Sequence, residues 1–200
     1  MKQHRGRIVI LSGPSGVGKT TITDALMDVV PVPLVRSVSA TTRAPRPGER
    51  DGVDYHFLTP ERFEQLRKQG QFLECFEVFG TGAWYGTLRS TVEQALAAGK
   101  WVLLVIDVQG GLEVMRQYPD AVGIFVEPSS WEELERRLRG RGTEDEETIR
   151  RRLDQARKEL EAGKQYPYRV VNDRVERAVQ EICRILENEQ HKLEADSDVS

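Results

Sequence analysis

Apolar residues along this chain fall into two rhythms. Short unbroken runs, IVIL (Ile8 to Leu11), WVLLVID (Trp101 to Asp107) and VGIFVEP (Val122 to Pro128), predict strands buried on both faces, as in a parallel sheet. Between and after them the apolar positions recur at helical spacing. Ile22, Leu26 and Val29/Val30 make one face of TTITDALMDVV, and Val175, Val179, Ile182 and Leu186 make a stripe along VERAVQEICRIL. Start signals agree with this reading. Ser129-Ser130-Trp131-Glu132 reads as a capping box opening the helix WEELERRLR, and Asp173 with Glu176 three residues on starts the last helix. Strands alternating with helices predict an α/β fold with a parallel core sheet and helices on both faces.

Two stretches break the alternation. From about Ser37 to Ser90 the chain is rich in Gly, Pro, Arg, Thr and aromatics, which predicts a mixed insert of hairpins with one short helix in ERFEQLRKQG. The stretch RRLRGRGTEDEETIRRRL is almost all charge, with glycines at 140 and 142 and a capping box at Thr143 and Glu146. The expected organisation is therefore a core of residues 1–36, 91–134 and 153–187, an insert at 37–90 and a helical lid at 135–152. A polar tail, 188–200, is expected to fray.

Composition narrows the function without naming it. Two hundred residues suit one compact domain with mounted subdomains. A net charge of -3 with 30% charged residues lacks the basic excess of a bulk nucleic-acid binder, so anion binding must be local. Cys75 and Cys183 lie far apart, and His4, His56 and His191 are scattered, which suggests neither a disulfide framework nor a metal centre. No apolar run approaches a signal or membrane-spanning length, so a reduced, cytoplasmic setting without a membrane partner is expected.

The chemistry begins immediately after the first predicted strand. Gly13-Pro14-Ser15-Gly16-Val17-Gly18-Lys19-Thr20 fits G-x-x-x-x-G-K-[ST] between a strand and a helix. Glycines let backbone N–H groups turn inward as a cradle for phosphate oxygens, and the helix N-terminus adds its positive dipole end. All eight residues are candidate ATP-binding residues, with Lys19 bridging the β- and γ-phosphates and the Thr20 hydroxyl ligating Mg²⁺. The bland alternative is a glycine-rich turn; the strand-to-helix setting favours the phosphate site. Such a loop names no reaction. There is no room for a motor and no NKxD base-reading motif, which leaves a compact kinase.

The remaining motifs carry a resemblance. In order, SGPSGVGKT, SVSATTRAPRPGERDGVDYHF, FLECFEVFG, WYGT, IDVQG, RLRGRGTEDEE and VVND resemble the guanylate kinase family over roughly residues 8 to 186. The most diagnostic part is TTRxPRxGExxGxxYxF, Thr41 to Phe57. The resemblance implies a three-layer P-loop NTPase fold and transfer of phosphate from ATP to GMP, or dGMP, with Mg²⁺, a step in guanine nucleotide supply. It places Arg43, Arg46, Tyr55 and Tyr85 on the acceptor's phosphate, a sensible set for a dianion. Glu74 falls where the family reads guanine N1–H and N2–H₂, with Ser39 and Thr87 on the base edge, and Asp107 joins the GMP-binding residues. Arg137 and Arg141 are implied around the donor phosphates and adenine, Arg152 at the transferring phosphoryl and Asn172 in the adenine pocket. Catalysis then rests on Lys19, Arg43, Arg141 and Arg152, without a covalent nucleophile.

Two departures accompany the match. Val105 stands where the family commonly has an acidic residue two before Asp107, and four residues, Thr81 to Trp84, separate FG from YG where two are usual. Trp84 either covers the acceptor or packs. A ribose bisphosphate phosphokinase and a non-catalytic phosphopeptide module are the alternatives; Glu74 with Ser39 disfavours the first, and the complete loop with Lys19 the second. The sequence leaves monomer and homodimer both open.

Overall fold

The computed structural model describes residues 6–78, 82–140 and 146–198. In chain order the elements are β1 (Ile8–Ser12), α1 (Lys19–Val29), β2 (Leu34–Arg36), β3 (Ala40–Thr41), β4 (His56–Phe57), α2 (Pro60–Lys68), β5 (Phe72–Val78), β6 (Ala83–Leu88), α3 (Arg89–Ala97), β7 (Trp101–Val105), α4 (Val108–Gln117), β8 (Val122–Pro128), α5 (Trp131–Arg139), α6 (Glu146–Gly163), β9 (Tyr168–Asn172) and α7 (Val175–Asp198). Five strands form a sheet in the order β2-β7-β1-β8-β9, and four form a second in the order β4-β3-β6-β5. This is the α/β arrangement with a parallel core sheet that the apolar runs predict. By packing the chain divides into two compact units, Met1–Ile8 with Val35–Leu104 and Val9–Leu34 with Val105–Ser200.

In the second unit, β1 and β9 both run parallel to β8, Ser12 pairing with Phe125 and Asn172 with Pro128. Parallel strands end at the same edge of the sheet. Asn172 thus arrives beside the loop that follows β1, which is where α/β sheets bind their ligands. All five residues of β1 are buried, as a strand covered on both faces requires. Ile22 and Leu26 of α1 are buried, but Val29 is 60% exposed and Thr23 takes an inward place. The helix ends at Val29 and the chain turns extended at Val30, so the apolar stripe stops one turn short of its expected length.

Capping differs in one detail from the sequence reading. Ser130, not Ser129, caps α5, its hydroxyl accepting the Glu133 N–H at 3.2 Å, because Ser130 is the residue in extended conformation before the first turn. The capping box at Thr143 lies outside the described residues. Helix α7 buries Ala178, Val179, Ile182 and Leu186 and runs on to Asp198. The polar stretch from Asn188 thus begins as helix. Glu189 is buried there, accepting from the Tyr168 hydroxyl and Lys192 Nζ, each at 2.6 Å, which ties this turn back to β9.

In the first unit, β3 and β5 both pair antiparallel with β6, and β3 runs parallel with β4. Helix α2 has Thr59 as its cap and Pro60 at its first position, and it buries Phe63. That ring stacks on Phe72 at 4.4 Å between centroids, within a cluster that includes Ala40, Leu66, Trp84 and Leu88. The small sheet gains from this helix the apolar backing that a short hairpin lacks alone.

Candidate active site

The phosphate loop is built as its sequence requires. Gly13, Gly16 and Gly18 have φ of 151°, 84° and 101°, conformations that a residue with a Cβ rarely adopts. Close approach adds a second reason: a Cβ on Gly13 would meet the Val126 carbonyl oxygen at 2.5 Å, and one on Gly18 the Asn172 Nδ2 at 2.6 Å. Lys19 opens α1 and its ammonium donates to the carbonyls of Gly13 (2.6 Å) and Pro14 (3.1 Å), so the charge lies over the loop. Thr20 follows, exposed in the first helical turn.

Residues far away in sequence close on the same loop. Asn172 Nδ2 donates to the Val17 carbonyl at 2.7 Å, and Arg137 donates to that same oxygen at 3.2 Å while its Nε is held by Glu133 at 2.7 Å. Arg152 donates to the Ser15 hydroxyl at 2.7 Å. A cleft of about 330 Å³ is lined by Gly16, Gly18, Thr21, Arg137, Asn172 and Asp173. With the Asn172 nitrogen committed to a carbonyl, its amide oxygen remains as an acceptor for a base's amino group. Arg141 lies outside the described residues.

Asp107 also belongs to this second unit. Its carboxylate caps α4, accepting the Gly110 N–H at 2.8 Å. Hydroxyls fix the turn around it: Ser12 donates to the carbonyls of Ile106 (3.0 Å) and Asp107 (3.1 Å), and Tyr166 to that of Val108 (2.9 Å). Burial pushes the Tyr166 phenol well above its usual range.

The first unit gathers the acceptor-side candidates. Arg43 donates through Nε to the Tyr85 hydroxyl at 2.9 Å and through both terminal nitrogens to Glu49, each at 2.9 Å. Its guanidinium also lies over the rings of Tyr55 (5.4 Å) and Phe57 (5.8 Å), and Tyr55 meets Tyr85 edge-on at 5.7 Å. The Glu49 hydrogen bonds raise the Arg43 pKa, and in return Arg43, then the Arg46 N–H, hold the Glu49 carboxyl below the usual carboxylate range. Burial pushes the Tyr55 phenol up. Arg46 itself is exposed. Together these residues make a rigid, cationic and aromatic corner suited to an anion.

Glu74 and Thr87 pair across β5 and β6. Both are buried, and the Thr87 hydroxyl donates to Glu74 Oε1 at 2.6 Å. A buried carboxylate in a strand is costly unless hydrogen-bonded, so its presence marks a place where acceptors are wanted. Ser39 is half-buried, and its carbonyl accepts the His56 N–H at 2.9 Å. Trp84 packs: it stands 6.0 Å from Phe63 and beneath Arg67 at 5.2 Å, its backbone bonded to Thr41 and Thr42. The neighbouring Thr81 lies outside the described residues.

Two participants escape the sequence reading. Glu49 orients Arg43, and its signal lay inside the quoted TTRxPRxGE motif, six residues from the arginine that it grips. Glu159 of α6 lies within electrostatic reach of Lys19, and burial raises its pKa. No motif announces it, since it stands in a helix crowded with charge.

Comparison with known proteins gives the family. A family model described as guanylate kinase matches residues 5–189. A guanylate kinase of Rhodopirellula baltica is 54% identical over 184 residues, covering 92% of this chain and 88% of the relative. One of Anaeromyxobacter dehalogenans is 52% identical over 186 residues, covering 92% and 81%. A solved guanylate kinase from Anaplasma phagocytophilum has a TM-score of 0.77 at 37% identity and covers 94% of this chain and 87% of its own. A gluconokinase from Sinorhizobium meliloti, at a TM-score of 0.51 and 16% identity, shares the fold alone. With a family model spanning nearly the whole chain and relatives at half identity, this chain belongs to the guanylate kinase family.

Proposed function

We propose that this protein transfers the γ-phosphoryl group of ATP to GMP, and less readily to dGMP, releasing ADP and GDP (or dGDP) and so feeding the supply of guanine nucleotides. The observation that carries the reading is the pairing of a lysine-bearing phosphate loop with a buried Glu74–Thr87 couple and the Arg43 corner. One serves a triphosphate, the other a guanine monophosphate. Residues 37–90 would grip GMP and residues 135–152 would close over ATP.

In this reading Glu74 accepts from guanine N1–H and N2–H₂, which adenine lacks, while Ser39, Thr87 and Asp107 complete the nucleotide contacts. Arg43, Arg46, Tyr55 and Tyr85 hold the acceptor phosphate. On the donor side Asn172 and Arg137 frame the base, and Lys19, Arg141 and Arg152 offset charge on the transferring group. The acceptor oxygen is already anionic, so alignment and charge do the work and no strong base is needed. Closure of the inserts excludes water, which would otherwise take the phosphoryl group.

The donor set fits Mg²⁺. Among the described residues no group of three or more His, Cys, Asp or Glu is placed to hold a metal, and a phosphate-loop Mg²⁺ needs none, since substrate oxygens and water supply most of its ligands. The exposed Thr20 hydroxyl beside Lys19 would help hold the ion, which would supply neutralisation of charge on the donor's phosphates. Val105 removes one carboxylate from this neighbourhood without touching that hydroxyl. No helix of the described residues is long and apolar enough to cross a membrane.

The test is ADP release with ATP and Mg²⁺ against GMP, dGMP, AMP, CMP, UMP and ribose 1,5-bisphosphate. Turnover confined to the two guanine nucleotides and abolished by Lys19→Ala is the expected result. GMP binding without turnover would overturn the kinase reading in favour of a binding module.

A further inference from the structure

We propose that Tyr166 is a positioning residue for Asp107: its hydroxyl, with that of Ser12, locks the backbone turn that presents the Asp107 carboxylate to the nucleotide. This inference rests on the reading of Asp107 as a nucleotide contact. Three consecutive carbonyls are held. Ser12 shares its hydroxyl hydrogen between those of Ile106 (3.0 Å) and Asp107 (3.1 Å), and Tyr166 donates to that of Val108 (2.9 Å). The carboxylate accepts the Gly110 N–H through Oδ1 at 2.8 Å; among the described residues it has no other hydrogen bond, and Oδ2 remains for a ligand. Ser12 ends β1 and stands directly before Gly13, so the same hydroxyl ties the Asp107 turn to the root of the phosphate loop. Tyr166 is itself anchored. It is 4% exposed, its ring lies 5.5 Å from that of Phe125, and a Cβ on Gly123 of β8 would come within 3.3 Å of it.

The arrangement costs stability, which marks it as more than packing. A phenylalanine would fill the same space without burying a hydroxyl, whose desolvation offsets most of the hydrogen bond that it gains. Gly111 adds a second cost. It stands inside α4, where alanine is favoured, yet a Cβ there would lie 1.9 Å from the Tyr166 hydroxyl oxygen and 2.9 Å from that of Ser12. The glycine makes room for both hydroxyls where they converge on the first turn of the helix. Two local costs meeting at one turn are expected where function demands geometry, and the polar side chain at that turn is Asp107. Tyr166 touches no substrate. Its hydroxyl restricts where the carboxylate can stand, and its loss should weaken what Asp107 does and little else.

The experiment measures GMP and ATP binding by calorimetry for wild type, Tyr166→Phe, Asp107→Asn and the double variant, each in the full chain. Phenylalanine keeps the ring against Phe125 and removes only the oxygen. It is expected to raise the Kd for GMP about threefold to tenfold, the size of one buried hydrogen bond, and to leave that for ATP within about twofold. In the Asp107→Asn background the same change should add less than about 1.5-fold, because the carboxylate that it serves is gone. A merely structural tyrosine would act independently, and the two factors would multiply. Without nucleotide, amide exchange in a peptide covering residues 106–112 should quicken in Tyr166→Phe. That arm separates this inference from the reading beneath it: quickened exchange, with Asp107→Asn binding GMP as wild type does, refutes the assignment of Asp107 and leaves the lock standing. Unchanged exchange, equal changes in both Kd values, or factors that multiply in the double variant would overturn the proposal. Gly111→Ala, whose methyl displaces the same hydroxyl, should show the same selective loss, and wild-type GMP affinity in that variant would likewise overturn it.

Discussion

Replacing Glu74 by glutamine tests the proposed base-reading role with the least disturbance. The side chain is 7% exposed and receives the Thr87 hydroxyl at 2.6 Å, so the substitution keeps size and burial while removing a charge. The Thr87 hydroxyl can accept as well as donate, and the amide therefore finds a partner in either orientation. Glutamine has a single oxygen, however. It can meet only one of the two guanine donors, and the other faces an N–H₂ group. One charge-assisted bond becoming neutral costs about 1 kcal/mol, and the donor left against a donor costs about 1–3 kcal/mol. The sum, about 2–4 kcal/mol, is a loss of roughly 30- to 1000-fold in kcat/KM for GMP. Adenine N1 accepts from that same amide, so activity toward AMP should rise from its own low level. Steady-state kinetics with both nucleotides, with the KM for ATP as control, measure this. A variant that keeps GMP turnover within threefold, or that loses ATP affinity in step with GMP, would refute the argument.

Other expectations follow from single contacts. Gly18→Ala should raise the KM for ATP by about 100-fold or more, since the backbone is left-handed at φ 101° and the new methyl displaces Asn172; calorimetric ATP binding checks it. Glu49→Gln should destabilise by about 1 kcal/mol at neutral pH, measured by urea unfolding. Because Arg43 lowers the Glu49 pKa from 4.5, this contribution is complete above 4.5 and fades as the pH falls through the lowered value, so wild type and variant should converge in acid. Trp84→Ala should cost about 2–4 kcal/mol of stability, read as a lower Tm, since the ring packs on Phe63 and Arg67.

Much of this molecule is legible because its physics is local. The run IVIL becomes the wholly buried β1, and the glycines of the phosphate loop occur where φ is positive. The Arg43 corner was legible through a motif in which Arg43, Glu49 and Tyr55 are close in sequence. Where the reading missed, the deciding force came from elsewhere in the chain. Ser129 and Ser130 are equivalent as letters, and only backbone conformation selects the second as cap. Val29 fits the apolar stripe of α1, yet the helix ends before that position meets the core. The polar stretch beyond Asn188 reads as a tail until Tyr168 offers Glu189 a partner.

Thus the sequence by itself determined the alternation of strands and helices, the phosphate loop, and the residue types able to read a phosphate and a purine edge. Only the tertiary structure decided which of those side chains meet. Parallel pairing of β1, β8 and β9 carries Asn172 across 155 positions to the Val17 carbonyl, and the packing of α6 brings Arg152 onto Ser15. Strand runs and turns follow from steric and hydrophobic preferences within a few residues. A hydrogen bond between distant residues depends on the register of a whole sheet, which no local pattern encodes.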